Sequence, residues 1–284
     1  MSTAGWLCRD RILDLGTPVV MGVLNVTPDS FSDGGRFTSR DAALARARVM
    51  IGEGAAIIDV GGESTRPGAA PAGLDEELSR VIPVIESLRR ESAVFISVDT
   101  SKAGVMRAAC AAGADIINDV RALAEPDALS TAAETRAGIC LMHMRGEPRT
   151  MQESPHYDDV IAEVTAFLSE RISACREAGI DIARLAVDPG FGFGKQVAHN
   201  LELLKHLDAF RALGAPLAVG LSRKSMLAKL TGRKVEDRTA GSVALAAIAV
   251  LNGARIVRAH DVAATVDAVR VAAAVTLGEL FDGT

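Results

Sequence analysis

The chain has 284 residues, 49% hydrophobic and 24% charged, enough for one large domain or two small ones around a sizeable core. Its 31 Lys and Arg against 36 Asp and Glu give a net charge of −5, and 8 Phe, 1 Trp and 1 Tyr are few aromatics. Neither the basic footprint of a duplex binder nor a base-stacking platform is present.

In chain order, residues 1–18 come first, with Arg and Asp breaking their apolar content. They carry no h-region, so no secretory signal is expected there, and their further role stays open. Short apolar runs then alternate with segments of helical period. Strands are predicted at 19–26, 55–62, 94–100, 115–120, 138–144, 185–190, 216–222 and 256–262. Between and after them, helices are predicted near 40–52, 75–91, 102–112, 127–136, 157–178, 199–212, 240–252 and 262–279. The uncharged stretch 239–254 is too short and too mixed to span a bilayer, and reads as a buried helix. Eight strand–helix units of nearly continuous apolar strands point to a (β/α)8 TIM barrel, with an open doubly wound sheet as the runner-up. No repeat or linker divides the chain, so residues 1–18 read as an extension and 19–284 as a single barrel domain. The four cysteines (Cys8, Cys110, Cys140, Cys175) have no ligand spacing. Cys110 and Cys140, in apolar surroundings, read as inert core thiols, and the composition as a whole suits a reducing compartment.

The strand ends carry the chemical information. Each apolar run finishes on polar residues: Asn25, Glu63 with Thr65, Asp99, Asn118, His143, Asp188, Ser222 with Lys224, and Arg258 with His260. One Asn or Asp after a strand is ordinarily a turn former or helix cap, and Asp75 is read that way. Eight such ends in register are not, because a barrel opens all of them onto one face. Ser222, Arg223, Lys224, Arg258 and His260 come from the last two strands, where barrels commonly hold phosphate. Asn25 offers an amide oxygen suited to Mg²⁺. Asp99, Asn118 and Asp188 can pair with the N–H donors of a planar heterocycle, and Met142 can stack on a flat ring or fill core. The Gly-rich stretches 29–37 and 61–70 read as loops able to close over the mouth. GFGFGK (190–195) is neither a P-loop nor a GxGxxG fingerprint, and no HExxH or GxSxG motif occurs. His156, His199 and His206 read as solvated surface histidines.

Eight segments together resemble the dihydropteroate synthase family: GVLNVTPDSFSDGG (22–35), IIDVGGESTRPGA (57–69), ISVDTSK (96–102), INDV (117–120), LMHM (141–144), DPGFGFGK (188–195), GLSRKS (220–225) and VRAHDV (257–262). The likeness runs in family order from about residue 19 to the C-terminus. It implies a (β/α)8 barrel, a cytoplasmic homodimer, and Mg²⁺-assisted joining of 6-hydroxymethyl-7,8-dihydropterin pyrophosphate to 4-aminobenzoate with release of pyrophosphate. Carried over by residue, it implies a pterin site of Asp99, Asn118, Asp188 and Lys224, with Met142 and Arg258 against the ring faces. It further implies a pyrophosphate site of Asn25, Arg258 and His260, with Asn25 beside Mg²⁺. Thr65, Arg66, Pro67, Phe193, Lys224 and Ser225 would hold aminobenzoate, while Asp33 and Phe31 would close over the reacting carbon. Catalysis is thereby assigned to Asp33, Lys224, Arg258 and His260. Ala259 stands where the family usually has Val, a departure that concerns packing. The intact STRPG and DSFSDGG loops imply sulfonamide sensitivity. Alternatives are a pterin-binding methyltransferase, which should lack the SRKS and STRPG residues, an aldolase using Lys224 as Schiff base, and a non-catalytic pterin-binding module.

Overall fold

The computed structural model describes residues 5–27, 36–63, 72–147 and 150–278. Among them, eight parallel strands alternate with helices: β3 (Val19–Asn25), β4 (Ile57–Gly61), β5 (Phe95–Asp99), β6 (Ile116–Asp119), β7 (Gly138–Met142), β8 (Leu185–Asp188), β9 (Ala218–Gly220) and β10 (Ile256–Ala259). They form one sheet in the order β8-β7-β6-β5-β4-β3-β10-β9. A parallel bridge between Val187 and Leu217, with Val187 N donating to the Pro216 carbonyl at 3.0 Å, joins the two ends into a barrel. Every predicted strand is present, trimmed by a few residues where the chain leaves the ladder.

Alternation along the strands divides the apolar residues between two cores. Ile58, Val60, Ile96, Val98, Ile117 and Leu141 pack outward against the helices in the main cluster. Met21, Ile57, Ile116, Cys140, Ala186, Ala218 and Ile256 pack inside the lower barrel. That lower core is completed from the N-terminus. A hairpin, β1 (Gly5–Cys8) paired antiparallel with β2 (Arg11–Asp14), inserts Trp6, Cys8, Leu13 and Leu15 into it. Trp6 is fully buried, and its indole N–H donates to the Arg184 carbonyl at 2.8 Å. Arg9 ties the hairpin turn to the Cys110 carbonyl at 2.9 Å. The hairpin thus floors the barrel at the end away from the polar strand termini. Its strands are four residues each, too short for alternation to mark them.

The helices are α1 (Arg36–Gly52), α2 (Leu74–Glu91), α3 (Ala103–Ala112), α4 (Ala128–Thr135), α5 (Val160–Glu177), α6 (Val197–Lys205), α7 (Ser225–Thr231), α8 (Thr239–Leu251) and α9 (Val262–Leu277). The sequence pattern misses α7, which spans seven residues before Gly232 ends it in the left-handed region. The helix predicted at 199–212 breaks at His206 into α6 and a 3-10 run, Leu207–Leu213. Asp75 is not a cap: Gly73 holds that position, and Asp75 lies in the first turn with Glu76 and Glu77, where the helix dipole favours carboxylates. His199 is not simply solvated, because its Nδ1 accepts from the Gln196 N–H at 3.2 Å in a capping box. The helix in 239–254 is buried on one face only. Leu245, Ala246, Ala249 and Val250 turn inward while Ile248 and Leu251 are exposed.

Candidate active site

The upper barrel is polar because its inward positions stop being apolar at the last turn of each strand. Asp99, Asn118, Met142, Asp188 and Arg258 all lie within strands, at or near their C-terminal ends. These five line one cavity with Val120, Phe191, Phe193, Gly220 and Lys224. Seven of the residues picked from the sequence therefore meet in a single mouth.

Arg258 organises it. Its Nε donates to Asp59 Oδ2 at 2.6 Å and its Nη2 to Asp99 Oδ2 at 2.8 Å. Asn118 Nδ2 donates to the same Asp59 oxygen at 3.2 Å. Among the described residues Nη1 of Arg258 has no partner and is the guanidinium nitrogen left for a ligand. Burial pushes the Asp99 carboxyl well above its ordinary range; Arg258 opposes the shift and Asp59 adds to it. Two acids beside one guanidinium cannot both be fully compensated. Asp188 is raised to about 6 by burial, against the Gly190 N–H that donates to its Oδ1 at 2.7 Å and the charge of Lys224. Burial, with Arg258, pulls Lys224 down to about 8, and its ammonium lies 4.0 Å from the centre of the Phe193 ring. The mouth therefore offers acceptors for N–H groups, a cation between them, and apolar walls for a flat ring.

His260 stands one residue beyond β10. Its Nδ1 lies 3.0 Å from Ser222 Oγ, and its backbone N–H donates to that oxygen at 3.2 Å. The two contacts to Ser222 Oγ hold the ring so that Nε2 is its other polar edge. Burial first, then the charge of Arg258, lowers His260 to about 3, so the ring is neutral in the free protein. Arg46 secures the His260 carbonyl at 2.9 Å, and Arg223 pairs with Asp261 through two bonds of 3.0 and 2.5 Å.

Other assignments fall differently. Asn25 ends β3 in register with Gly61, on the side of Asp99, without lining the cavity. Ser225 opens α7 and is exposed. His143 does not join the mouth: it turns outward, edge-on to Phe167 at 4.9 Å, with Nδ1 2.8 Å from Lys195 Nζ. Glu63 turns to Lys102, which also pairs with Glu77 at 2.7 Å. Phe31, Asp33, Thr65, Arg66 and Pro67 lie outside the described residues. Sequence reasoning missed Asp59, although a carboxylate two residues after Ile57 in IIDVGG shares the inward face and was a legible signal.

The family model described as pterin binding enzyme matches residues 21–260. The dihydropteroate synthase of Escherichia coli (strain K12) is 56% identical over 259 residues, covering 91% of this chain and 92% of that protein. A Yersinia pestis dihydropteroate synthase solved with a sulfonamide drug superposes with a TM-score of 0.92 at 50% identity, covering 96% and 99% of the two chains. That of Xanthomonas albilineans with 4-aminobenzoic acid gives 0.91 at 54% identity, covering 97% and 99%.

Proposed function

The chain belongs to the pterin-binding enzymes, and within them to the dihydropteroate synthases, and from that premise we propose how its residues divide the reaction. The enzyme is a transferase of folate biosynthesis. It condenses 6-hydroxymethyl-7,8-dihydropterin pyrophosphate with 4-aminobenzoate to dihydropteroate and pyrophosphate.

The observation that carries the division is the convergence of Asp99, Asn118, Asp188, Lys224 and Arg258 in one mouth. Asp188 and Asp99 accept the pterin ring N–H groups, Asn118 and Lys224 complete the ring edge, and Met142 and Arg258 cover its faces. The bond to pyrophosphate breaks from a carbon attached to an electron-rich ring, so charge separates in the transition state. The enzyme's task is to stabilise both fragments, and the described site offers no activated Ser or Cys nucleophile. All four cysteines are buried, and burial raises the thiols of Cys8, Cys110, Cys140 and Cys175. Arg258 and His260 take the growing negative charge. The amine of aminobenzoate then bonds to the methylene carbon and loses its proton. Phe193 and Ser225 hold aminobenzoate with Thr65, Arg66, Pro67 and Phe31, while Asp33 covers the reacting carbon.

Among the described residues no cluster of three His, Cys, Asp or Glu could hold a metal by itself. The amide oxygen of Asn25, at the end of β3, suits Mg²⁺, which relies on substrate phosphates and water for most of its ligands. Asn25 would hold it through the amide oxygen, and when bound it neutralises charge on the leaving group.

The single-mouth reading is tested with a sulfonamide, a flat aniline with an acidic para group. Initial rates at several aminobenzoate concentrations should show competitive inhibition. Inhibition undiminished at saturating aminobenzoate would separate the two sites and sink this reading.

We also assign a homodimer and a cytoplasmic location. Ile248 and Leu251 of α8 and Val271 and Val275 of α9, helices that pack on each other, leave an apolar face exposed at 42%, 45%, 66% and 73%. A face of that kind marks a contact surface. Sedimentation should give a dimer for the native chain and a monomer for Val271→Glu with Val275→Glu; a monomeric native chain would contradict the assignment. No helix among the described residues is long and apolar enough to cross a membrane, and the four free, buried cysteines suit a reducing compartment.

A further inference from the structure

The GFGFGK turn matches no phosphate loop, yet buried side chains pin it at successive peptides. Lys195 is 3% exposed. Its ammonium donates to the Gly190 carbonyl at 3.0 Å, the Phe193 carbonyl at 3.1 Å and His143 Nδ1 at 2.8 Å, which uses all three of its hydrogens. Asn200 accepts from the Gly192 N–H at 2.7 Å and donates to the Lys195 carbonyl at 3.3 Å. The Tyr157 hydroxyl donates to the Gly194 carbonyl at 3.0 Å. The turn is also pressed against the chain leaving β7. A Cβ on Gly190 would fall 1.8 Å from the His143 carbonyl oxygen, and one on Gly194 2.2 Å from that of Arg145, both at positive φ.

Among the described residues no carboxylate lies within ion-pair distance of Lys195. Burial accordingly lowers its pKa to about 7, and burial with the Lys195 charge lowers His143 to about 3. A buried cation whose direct partners are all neutral costs stability, where an unbranched apolar residue of similar length would fill the same space. What the cation supplies instead is the geometry of its acceptors. One of them is the peptide oxygen of Phe193, whose ring forms a wall of the mouth against Lys224.

We propose that Lys195, with His143 as its acceptor, is a positioning residue for aminobenzoate: it fixes the turn that holds the Phe193 ring in the mouth. The inference rests on the reading above, in which Phe193 walls the aminobenzoate pocket. The link to the pterin side is narrower: Lys195 holds the Gly190 carbonyl, and the Gly190 N–H donates to Asp188 Oδ1. Asp188 is held by the β7–β8 ladder opposite Met142, and its carbonyl accepts from the His143 backbone N–H at 2.9 Å, a bond that no side-chain change removes.

Steady-state kinetics with each substrate varied in turn test the role. Lys195→Met should raise KM for aminobenzoate about tenfold while KM for the pterin pyrophosphate moves by less than about twofold. His143→Asn, whose side-chain oxygen can replace Nδ1 as acceptor, should stay near the native value. His143→Leu, which offers none, should raise KM for aminobenzoate several-fold. Phe193→Ala reports on the wall itself. If Phe193→Ala leaves that KM unchanged, the underlying reading fails and this inference goes with it. If Phe193→Ala raises it and Lys195→Met does not, or both KM values rise together, the positioning role alone is overturned. Should Lys195→Met fail to fold, the His143 pair decides, and equal KM values for Leu and Asn would overturn the proposal.

Discussion

His260→Ala is expected to lower kcat about a hundredfold at saturating substrates, the usual cost of losing one donor to a developing negative charge. Pterin affinity in the absence of turnover should change little, because the charge that His260 meets grows only as the bond to pyrophosphate breaks. The geometry supports a neutral ring held in place. Ser222 Oγ, 3.0 Å from Nδ1, orients the ring, and burial keeps it unprotonated in the free enzyme. Ser222→Ala should therefore reproduce part of the loss by freeing the ring that Oγ orients. Stopped-flow turnover beside calorimetric pterin binding separates the two effects. Wild-type kcat in His260→Ala would remove the residue from the pyrophosphate site.

Asp188→Asn is expected to weaken pterin binding by about tenfold or more, since a buried charge-assisted bond is worth roughly 1.5–3 kcal/mol. The variant keeps an oxygen for the Gly190 N–H, so the loss reports on the ligand side of the carboxylate. A pH series sharpens the expectation. The carboxylate accepts only when ionised, and its pKa is raised to about 6 in the free enzyme. Native affinity should fall as the pH drops through the range in which Asp188 and the likewise raised Asp99 take up protons. Asp188→Asn should remove only the part of that acid limb that belongs to Asp188. Stability carries the opposite sign. A carboxylate raised above its unfolded value of 3.8 contributes stability below that value and loses it as pH rises through about 6. At neutral pH the ionised Asp188 is a cost, so Asp188→Asn should melt no lower than the native enzyme. Unchanged pterin binding across the series would take Asp188 out of the site.

Much of this molecule is legible in its sequence, for identifiable reasons. The strands are apolar at nearly every position because helices cover one face and a packed interior the other, so Val19–Asn25 or Leu185–Asp188 stands out without alternation. The polar termini of those strands are equally plain, and Asp99, Asn118, Asp188, Lys224 and Arg258 do meet. What escapes are groups whose role depends on facing. His143 and Asp188 both follow apolar runs, yet one points outward to Lys195 and the other into the mouth. Asp59 hides inside a strand rather than at its end. The N-terminal hairpin escapes because its strands are short and its purpose, flooring the barrel, depends on contacts with residues far along the chain, such as Arg184. Helix α7 is a single amphipathic stretch of two turns, below what periodicity resolves.

The chemistry assigned to the mouth is tested most directly by pyrophosphate release measured beside dihydropteroate formation, omitting each substrate in turn and then chelating divalent metal. Release should require both substrates and Mg²⁺ and should match dihydropteroate one for one, because aminobenzoate captures the cation that the departing pyrophosphate leaves behind. Sustained release without aminobenzoate would show that water reaches that carbon freely, and undiminished turnover in excess chelator would remove Mg²⁺ from the leaving-group site. No release with all components present would contradict the assignment outright.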